Sequence, residues 1–500
     1  MAETPAPVGL TTATARAILG PDAATAGRAG HVAGRLGEAI RLGLLLDGER
    51  LPAEPQLAEQ FGIATVTLRE ALAVLREQGL VVTRRGRGGG SFVRIPAADP
   101  GEALPRRLRE LSTQEIRELG DQRTAVSGTA ARLAAERALP EEIDSLRQQA
   151  ARLSSAGTAS ERRRADTQFT IEVAAAAQSS RLTREELRLR AEVGDLLWLE
   201  RSEADHAASV RSRVRLVEAI ARRDTRGAQA LAEEHVAADT ERLLRLRLAV
   251  PPSPASAGSH PAPPQATGDG GARELLTAVA ATFDAIFTAL EPLAVEYREL
   301  VGARGAALVR EDLAALRPHI FGLLADQGAL VAGAGLITAP GTLSDSRYWL
   351  EWWWTRASGT PEALRVNLDP AAPDFFDYTT AEWFTTPERT LTRHVSGPYV
   401  DYACTNEYAL TAVVPVHLDD RLIGLAAADV PVARLERQVL PALLALPRPM
   451  ALVNEAGRVV AAASPTLFPG LLLPSGDGAI RLTAGGEARS PATWRLEPAP

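Results

Sequence analysis

Lysine is missing from this chain of 500 residues, and all 55 of its basic side chains are arginine. That excludes pyridoxal-phosphate enzymes, which need a lysine to form the Schiff base. It also excludes Walker A nucleotide-binding loops, whose lysine cradles the phosphates. Cysteine is nearly missing: Cys404 stands alone, so no intramolecular disulfide can form, as suits a reducing cytoplasm. The first residues, MAETPAPVGLTTATARAILG, lack a basic start followed by a long apolar core, so no secretory signal is expected. No run of about 18 apolar residues is apparent, and no membrane span is expected. Net charge is −7, so any nucleic-acid binding must come from a local basic surface. What is present, 46% hydrophobic and 23% charged residues, is a globular composition.

Composition divides the chain. Residues 1–28 are rich in Ala, Thr, Pro and Gly and read as a disordered leader. Residues 29–96 form a first compact unit, and 96–105 (PAADPGEALP) read as a short linker. Residues 106–248 have helical periodicity throughout, and 250–271 are a Pro/Ala/Ser/Gly linker. Residues 272–485 mix helical and strand-like patterns and hold most of the aromatics, and the last stretch to Pro500 reads as loosely ordered.

In the first unit, Val32, Leu36, Ile40 and Leu44 recur every four residues and predict a helix over 31–46. A short helix over 55–61 follows, with Pro55 in its first turn and Leu57 and Phe61 inward. Gly62-Ile63-Ala64 makes a tight turn. A third helix over 65–78 has Leu68, Leu72 and Leu75 as its seam and Gly79 as its stop. Strands Leu80–Thr83 and Ser91–Arg94 flank the basic tip RRGRGGG. This is a winged helix-turn-helix. Its third helix presents Thr65, Val66, Thr67 and Arg69 at the end that enters a major groove. Threonines bond phosphate or base, Val66 suits a thymine methyl, and Arg69 suits guanine or phosphate. Arg84, Arg85 and Arg87 give the wing charge, and Gly86–Gly88 let backbone approach DNA.

The run LPAEPQLAEQFGIATVTLREALAVLREQGLVVTRRGRGGGSFV resembles the DNA-binding domain of GntR-family regulators. The resemblance implies DNA contact by Thr67, Arg69, the wing arginines and Gly86–Gly88. Pro55 stands where that family usually has arginine, and Ala64-Thr65 where it has Ser/Thr-Arg. Two polar contacts are therefore missing, and so is an N-cap side chain.

The middle reads as about six helices, opened at Ser112-Thr113-Gln114-Glu115 (a capping box), Pro140-Glu141-Glu142 and Thr183-Arg184-Glu185-Glu186. The stretches TAARLAAERALP, DTQFTIEVAAAAQSSRL and VRLVEAIARRDTRGAQALAEEHV resemble the all-helical FCD effector domain of the FadR branch. Many members of that branch hold a divalent metal through one aspartate and three histidines. Matched to this chain, Asp166 and His235 remain, Thr170 replaces one histidine and Arg213 another. An arginine opposes a cation, so no metal and no cofactor is expected. Dimerisation, or an anion held by Arg123 or Arg213, is the expected use.

In the last third, helices are predicted over 272–301 and 306–325. Strands are predicted at Ala329–Leu336, Ala409–Val416, Leu422–Asp429 and Met450–Asn454, with turns at Asp419-Asp420 and Glu455-Ala456-Gly457. That is an α+β arrangement with a mainly antiparallel sheet. Aromatics cluster around 348–354, 378–384 and 399–408 beside Asp401 and Asp429, a composition suited to a small ligand, cationic or an amine. DYTTAEWFTTPER, GPYVDYACTNEYALTAVVPV, RLIGLAAADVPVARLE and PMALVNEAGRVVAAASP resemble a Cache (PAS-like) sensor. The resemblance implies a small-molecule pocket with Tyr378, Trp383, Asp401 and Asp429. His394, Cys404 and His417 are isolated, so no catalytic residue is assigned and an enzyme is not expected.

The expected whole is a cytoplasmic, one-component regulator: winged helix, six-helix bundle and PAS-like sensor. It would be a homodimer on a palindromic operator in double-stranded DNA, answering to a small effector and away from the membrane. Two readings stay open beside it. One is a cytoplasmic ligand-binding scaffold whose N-terminal domain contacts proteins. The other is an enzyme in the last third.

Overall fold

The computed structural model describes residues 29–42, 45, 47–84, 86, 89–94, 100–250, 269–355, 360–403, 406–474, 476, 478–481 and 494–499. They form two compact units: residues up to 111 with 116–243, and residues from 244 onward with the short segment 112–115.

The first unit begins with α1 (Ala29–Arg41), α2 (Glu54–Phe61) and α3 (Thr65–Glu77), then the antiparallel strands β1 (Val81–Arg84) and β2 (Gly90–Val93). The four-residue spacing in α1 buries Val32, Leu36 and Ile40 against Leu57, Leu68, Leu72 and Leu75. The helix is shorter than its periodicity suggests, and Leu44 lies outside the described residues. Gly62 ends α2 at φ 67°, and Gly79 follows α3 at φ 70°, where a side chain would be strained. The stretch expected as a linker is partly helix, α4 (Pro100–Glu110). Pro100 opens the first turn, where a missing N–H is harmless, although Pro105 stands inside the helix, so a composition that reads as linker is compatible with helix.

Six helices follow: α5 (Thr113–Arg137), α6 (Pro140–Ser155), α7 (Ala159–Ala176), α8 (Ser180–Val193), α9 (Glu203–Ala221) and α10 (Thr225–Ala249). The capping box at Ser112 is formed, with Glu115 accepting from the Ser112 N–H at 2.7 Å. Helix α8 starts at Ser180 rather than Thr183: Ser179 caps it, and the Thr183 hydroxyl donates back to the Ser179 carbonyl at 3.0 Å. A threonine that finds a carbonyl one turn back sits inside a helix as readily as at its start. Ile171 of α7 belongs to the buried core of the winged helix, and Leu187 and Ala191 of α8 pack on it.

The second unit is built on α11 (Asp269–Arg304), with α12 (Arg317–Asp326) beyond it. The strands are β3 (Gly333–Thr338), β4 (Leu350–Thr355), β5 (Pro361–Ala363), and then, after α13 (Glu382–Thr390), β6 (His394–Val400), β7 (Tyr408–Leu418) and β8 (Arg421–Pro431). They make one antiparallel sheet in the order β5-β4-β3-β8-β7-β6. Asp419 and Asp420, at φ 50° and 60°, form the predicted hairpin between β7 and β8. Beyond the sheet, α14 (Val432–Leu444) leads into β9 (Met450–Val453), β10 (Val459–Ala462), β11 (Ile480–Arg481) and β12 (Arg495–Pro498), a second sheet.

Strand periodicity sorts the large sheet into two faces. Leu410 and Ala412 of β7, with Ala426, Ala428 and Val430 of β8, join the core that holds Phe283, Ile286, Phe287 and Leu290 of α11. The other face carries Ile337, Leu350, Trp352, Val413, Leu425 and Ala427. By length and composition, Gly270–Ala307 is apolar enough to cross a membrane, contrary to the expectation of no such run. Leu275, Val279, Phe283, Ile286, Phe287 and Leu290 on it are buried in the core that includes the sheet, as in an amphipathic core helix, while Val295 is exposed.

Gly335 lets β3 lie close to β4: a Cβ there would stand 2.2 Å from the Glu351 carbonyl oxygen. Gly335→Ala should therefore cost about 1–3 kcal/mol, seen as a lower urea midpoint. An unchanged midpoint would show that the two strands separate freely.

Candidate functional site

Three places carry chemistry. The first is the exposed end of α3. Leu68 is fully buried, whereas its neighbour Val66 is 64% exposed, an apolar side chain left uncovered beside half-buried Thr65 and Thr67. Ala64 supplies no side-chain cap, as expected, so the first-turn N–H groups look outward for acceptors. The Arg69 Nε donates to Glu54 Oε2 at 2.7 Å, which orients the guanidinium across the helix-turn-helix. The Arg84 guanidinium lies 4.7 Å above the Phe92 ring. Arg85, Arg87 and Gly88 lie outside the described residues. One contributor escaped the sequence reading: Arg50 Nη2 donates to the Gly89 carbonyl at 2.7 Å and braces the wing root. Only the fold brings residue 50 beside residue 89.

The second place is a buried charge cluster in the helical bundle. Asp166 of α7 is fully buried. Its Oδ1 accepts from Arg213 of α9 at 2.7 and 3.1 Å, and its Oδ2 from Arg190 of α8 at 2.9 Å. Asp239 of α10 accepts from Arg201 at 2.7 Å and Arg123 of α5 at 3.3 Å. Burial alone would raise the Asp166 carboxyl, but Arg213 and Arg190 outweigh it and hold the group well below the usual carboxylate range. His235 Nε2 stands 3.5 Å from Asp239. Burial, then the Arg213 charge, pushes that ring down to about 3, so it is neutral and the contact is not an ion pair.

The sequence reading gave Arg123 and Arg213 to an anion. The structure instead gives each an internal carboxylate, because an unpaired buried guanidinium would carry a large desolvation penalty. The divalent metal implied by the FCD resemblance does not fit these residues either. Both oxygens of Asp166 are taken, and the Thr170 hydroxyl accepts from Arg190 at 2.6 Å. The adjoining void measures about 10 Å³, room for one water. Among the described residues no group of three or more His, Cys, Asp or Glu side chains is placed to hold a metal.

The third place is a cavity of about 370 Å³ on the face of the large sheet away from α11. Tyr378, Trp383, Asp401 and Asp429 all line it. Strand parity explains Asp429: it stands two residues after Ala427 and four after Leu425, so all three face the same side. Tyr378 donates to the Thr338 carbonyl at 2.8 Å and accepts from the Trp349 N–H at 3.3 Å, so it offers the cavity only its ring. Trp383 comes from the first turn of α13. Thr411 donates to Asp429 Oδ1 at 2.7 Å and lies 2.5 Å from the Tyr399 hydroxyl, a relay that ends on the carboxylate. Burial, then the Asp401 charge, raises Asp429 to about 8, with the Thr411 hydrogen bond opposing. Trp352, Tyr399 and Thr411 were missed by the sequence reading, although Tyr399 and Trp352 lay within its aromatic clusters. Among the described lining residues are Asp377, Glu382, Asp401 and Asp429, and no basic side chain. Cys404 lies outside the described residues, and His394 reaches only Glu382, at 3.9 Å.

Known proteins match both ends of the first unit. The profile "Bacterial regulatory proteins, gntR family" covers residues 28–90, and the FCD domain profile covers 118–238. The HTH-type transcriptional regulator RmpR of Mycobacterium gastri is 40% identical over 247 residues, 46% of this chain and 87% of its own length. The HTH-type transcriptional regulator Rv0494 of Mycobacterium tuberculosis is 34% identical over 140 residues, 28% of this chain and 57% of its own length. A solved ligand-binding domain of the Campylobacter jejuni chemoreceptor Tlp3, in complex with L-norvaline, aligns at 17% identity over 42% of this chain and 73% of that one, with a TM-score of 0.28. A superposition that loose says nothing about a ligand here. The chain belongs to the GntR family, with a GntR-type winged helix followed by an FCD domain. It is a DNA-binding transcription regulator whose action is modulated by a metabolite.

Asp429 gives a pH signature. Its folded-state pKa lies above the unfolded value near 4, so the native state holds a proton that the unfolded chain releases. Between about pH 4 and 8, this group makes stability fall by about 1.4 kcal/mol per pH unit. Asp429→Asn should remove that slope. Urea titrations at several pH values measure it, and parallel curves for both proteins would refute the assignment.

Proposed function

We propose that the second unit is a Cache-like, PAS-like sensor and that its cavity receives a small organic cation, which sets the affinity of the winged helix for its operator. The observation that carries this reading is the cavity lining: aromatic rings and four carboxylic acids, with no basic residue among those described. Ring faces and carboxylates attract an ammonium group. A ligand with its own carboxylate would find no arginine there. Organisation into leader, head (29–96), bundle (106–248), linker (250–271) and sensor (272–485) belongs to the same proposal. So does a cytoplasmic homodimer on palindromic half-sites.

For the head, Thr65, Val66, Thr67 and Arg69 are the proposed base-reading set, with Arg84, Arg85, Arg87 and Gly88 on the backbone. The exposure of Val66 and the orientation of Arg69 by Glu54 support this. Arg69→Ala should weaken binding to DNA from upstream of its own gene about tenfold or more and lower the salt slope by about one. Fluorescence anisotropy at several salt concentrations reads both. Absence of sequence-selective, salt-sensitive binding by the parent protein would sink the DNA-reading assignment.

For the sensor, the probe pair is choline and its neutral isostere 3,3-dimethylbutanol. Choline should bind and shift operator affinity, and the alcohol should not. A cation must displace the Asp429 proton, so choline affinity should rise about tenfold or more from pH 6.5 to 8.5 and then level off. Asp429→Asn should abolish both the preference and the pH dependence. Equal binding of the two probes in calorimetry would overturn the cation reading and leave the DNA reading untouched.

A further inference from the structure

The helical domain poses a separate question: what holds five of its helices around two buried aspartates? Asp166 comes from α7, Arg190 from α8 and Arg213 from α9. Asp239 comes from α10 and Arg123 from α5. A bare carboxylate in this setting would be prohibitively costly, so a cation must stand beside it. Arg213 meets Asp166 side-on with Nε and Nη2, while Arg190 takes the other oxygen. Both arginines also reach the Thr170 hydroxyl, at 2.6 and 3.3 Å. The Arg213 guanidinium lies 5.1 Å from the Phe169 ring centre, which covers its face. Both Asp166 oxygens accept from the chain's own side chains, with Trp198 Nε1 reaching Oδ2 at 3.4 Å, and the neighbouring void lined by Thr170, Arg190 and Arg213 is water-sized.

We propose that this domain carries its cation covalently: the guanidinium of Arg213, seconded by Arg190, takes the place of a divalent metal on Asp166 and ties α7, α8 and α9 together without any bound ligand. The guanidinium can do this because it carries several N–H donors in one plane: Arg213 sets Nε and Nη2 on Oδ1 and leaves Oδ2 to Arg190, as a point charge cannot. The consequence reaches the DNA-binding head. Thr170 and Arg190 are each followed by a residue, Ile171 and Ala191, that belongs to or packs on the winged-helix core. The surface on which the head rests is thus set by sequence, and metal supply has no hold on it.

The test uses the full-length protein purified without chelator. The parent protein should contain no stoichiometric zinc by elemental analysis, and its melting temperature should not move with added zinc or EDTA. Stoichiometric metal with an EDTA-sensitive melting temperature would overturn the proposal. The double variant Thr170→His/Arg213→His should gain one zinc per chain and become stabilised by it, because only then is the position open. Folded double variant that ignores zinc would also count against the proposal. Should that variant fail to fold, Arg213→Ala decides. It should melt on the order of 10 °C lower and recover in part with about 20 mM methylguanidinium but not with equal sodium chloride. An Arg213→Ala protein as stable as the parent would refute the role assigned to the guanidinium.

Discussion

A carboxylate taken out of water must be given a cation or give up its charge, and this chain shows both outcomes. Asp166 keeps its charge because two arginines close on it from neighbouring helices. The bundle's geometry follows, since charge-assisted hydrogen bonds from two guanidiniums, one on each oxygen, tie Asp166 to α8 and α9. Lysine could not replace these residues: its ammonium is a single charge without a fork. A chain that uses only arginine can therefore build structural cations inside a helical core.

Asp429 shows the opposite outcome. No arginine faces it among the described cavity residues; its neighbours are a second acid, Asp401, and the Thr411 hydroxyl. The group holds its proton instead. On the proposed reading, an incoming cation displaces that proton and supplies what the protein withholds. The two aspartates are equally buried in residue terms, at 0% and 6% exposure, so their difference lies in partners and not in depth.

Local rules made much of this legible. Four-residue spacing, the stops at Gly62 and Gly79, and the Arg/Gly tip gave the winged helix to within a few residues. The Asp419-Asp420 turn and the apolar runs beside it gave β7 and β8. What failed was information carried by distant partners. Trp352 to Trp354 read as an aromatic cluster because a strand lined by bulky rings on both faces shows no alternation. Strand β6 hid behind Gly397 and Pro398, which an edge strand tolerates with a register shift. Arg123 and Arg213 read as free cations because nothing in their own helices announces Asp239 and Asp166. The lining residues Tyr378, Trp383, Asp401 and Asp429 came from the resemblance to a Cache sensor, because nothing local in residues 378 to 429 announces that they share one cavity.

The division of labour between the two aspartates bears on how such a regulator is switched. A ligand changes operator affinity only by the difference in its affinity for the two protein states, and DNA must return the same coupling to the ligand. A charge cluster locked by its own side chains offers no such difference, because no outside species enters it. A cavity that trades a proton for a cation does. At pH 7, about one unit below the Asp429 value, displacing that proton takes about 1.4 kcal/mol from the binding energy. On the proposed reading, that tax makes the sensor weaker in acid and stronger in mild alkali. Both the threshold concentration of effector and its pH dependence then reside in one side chain of β8.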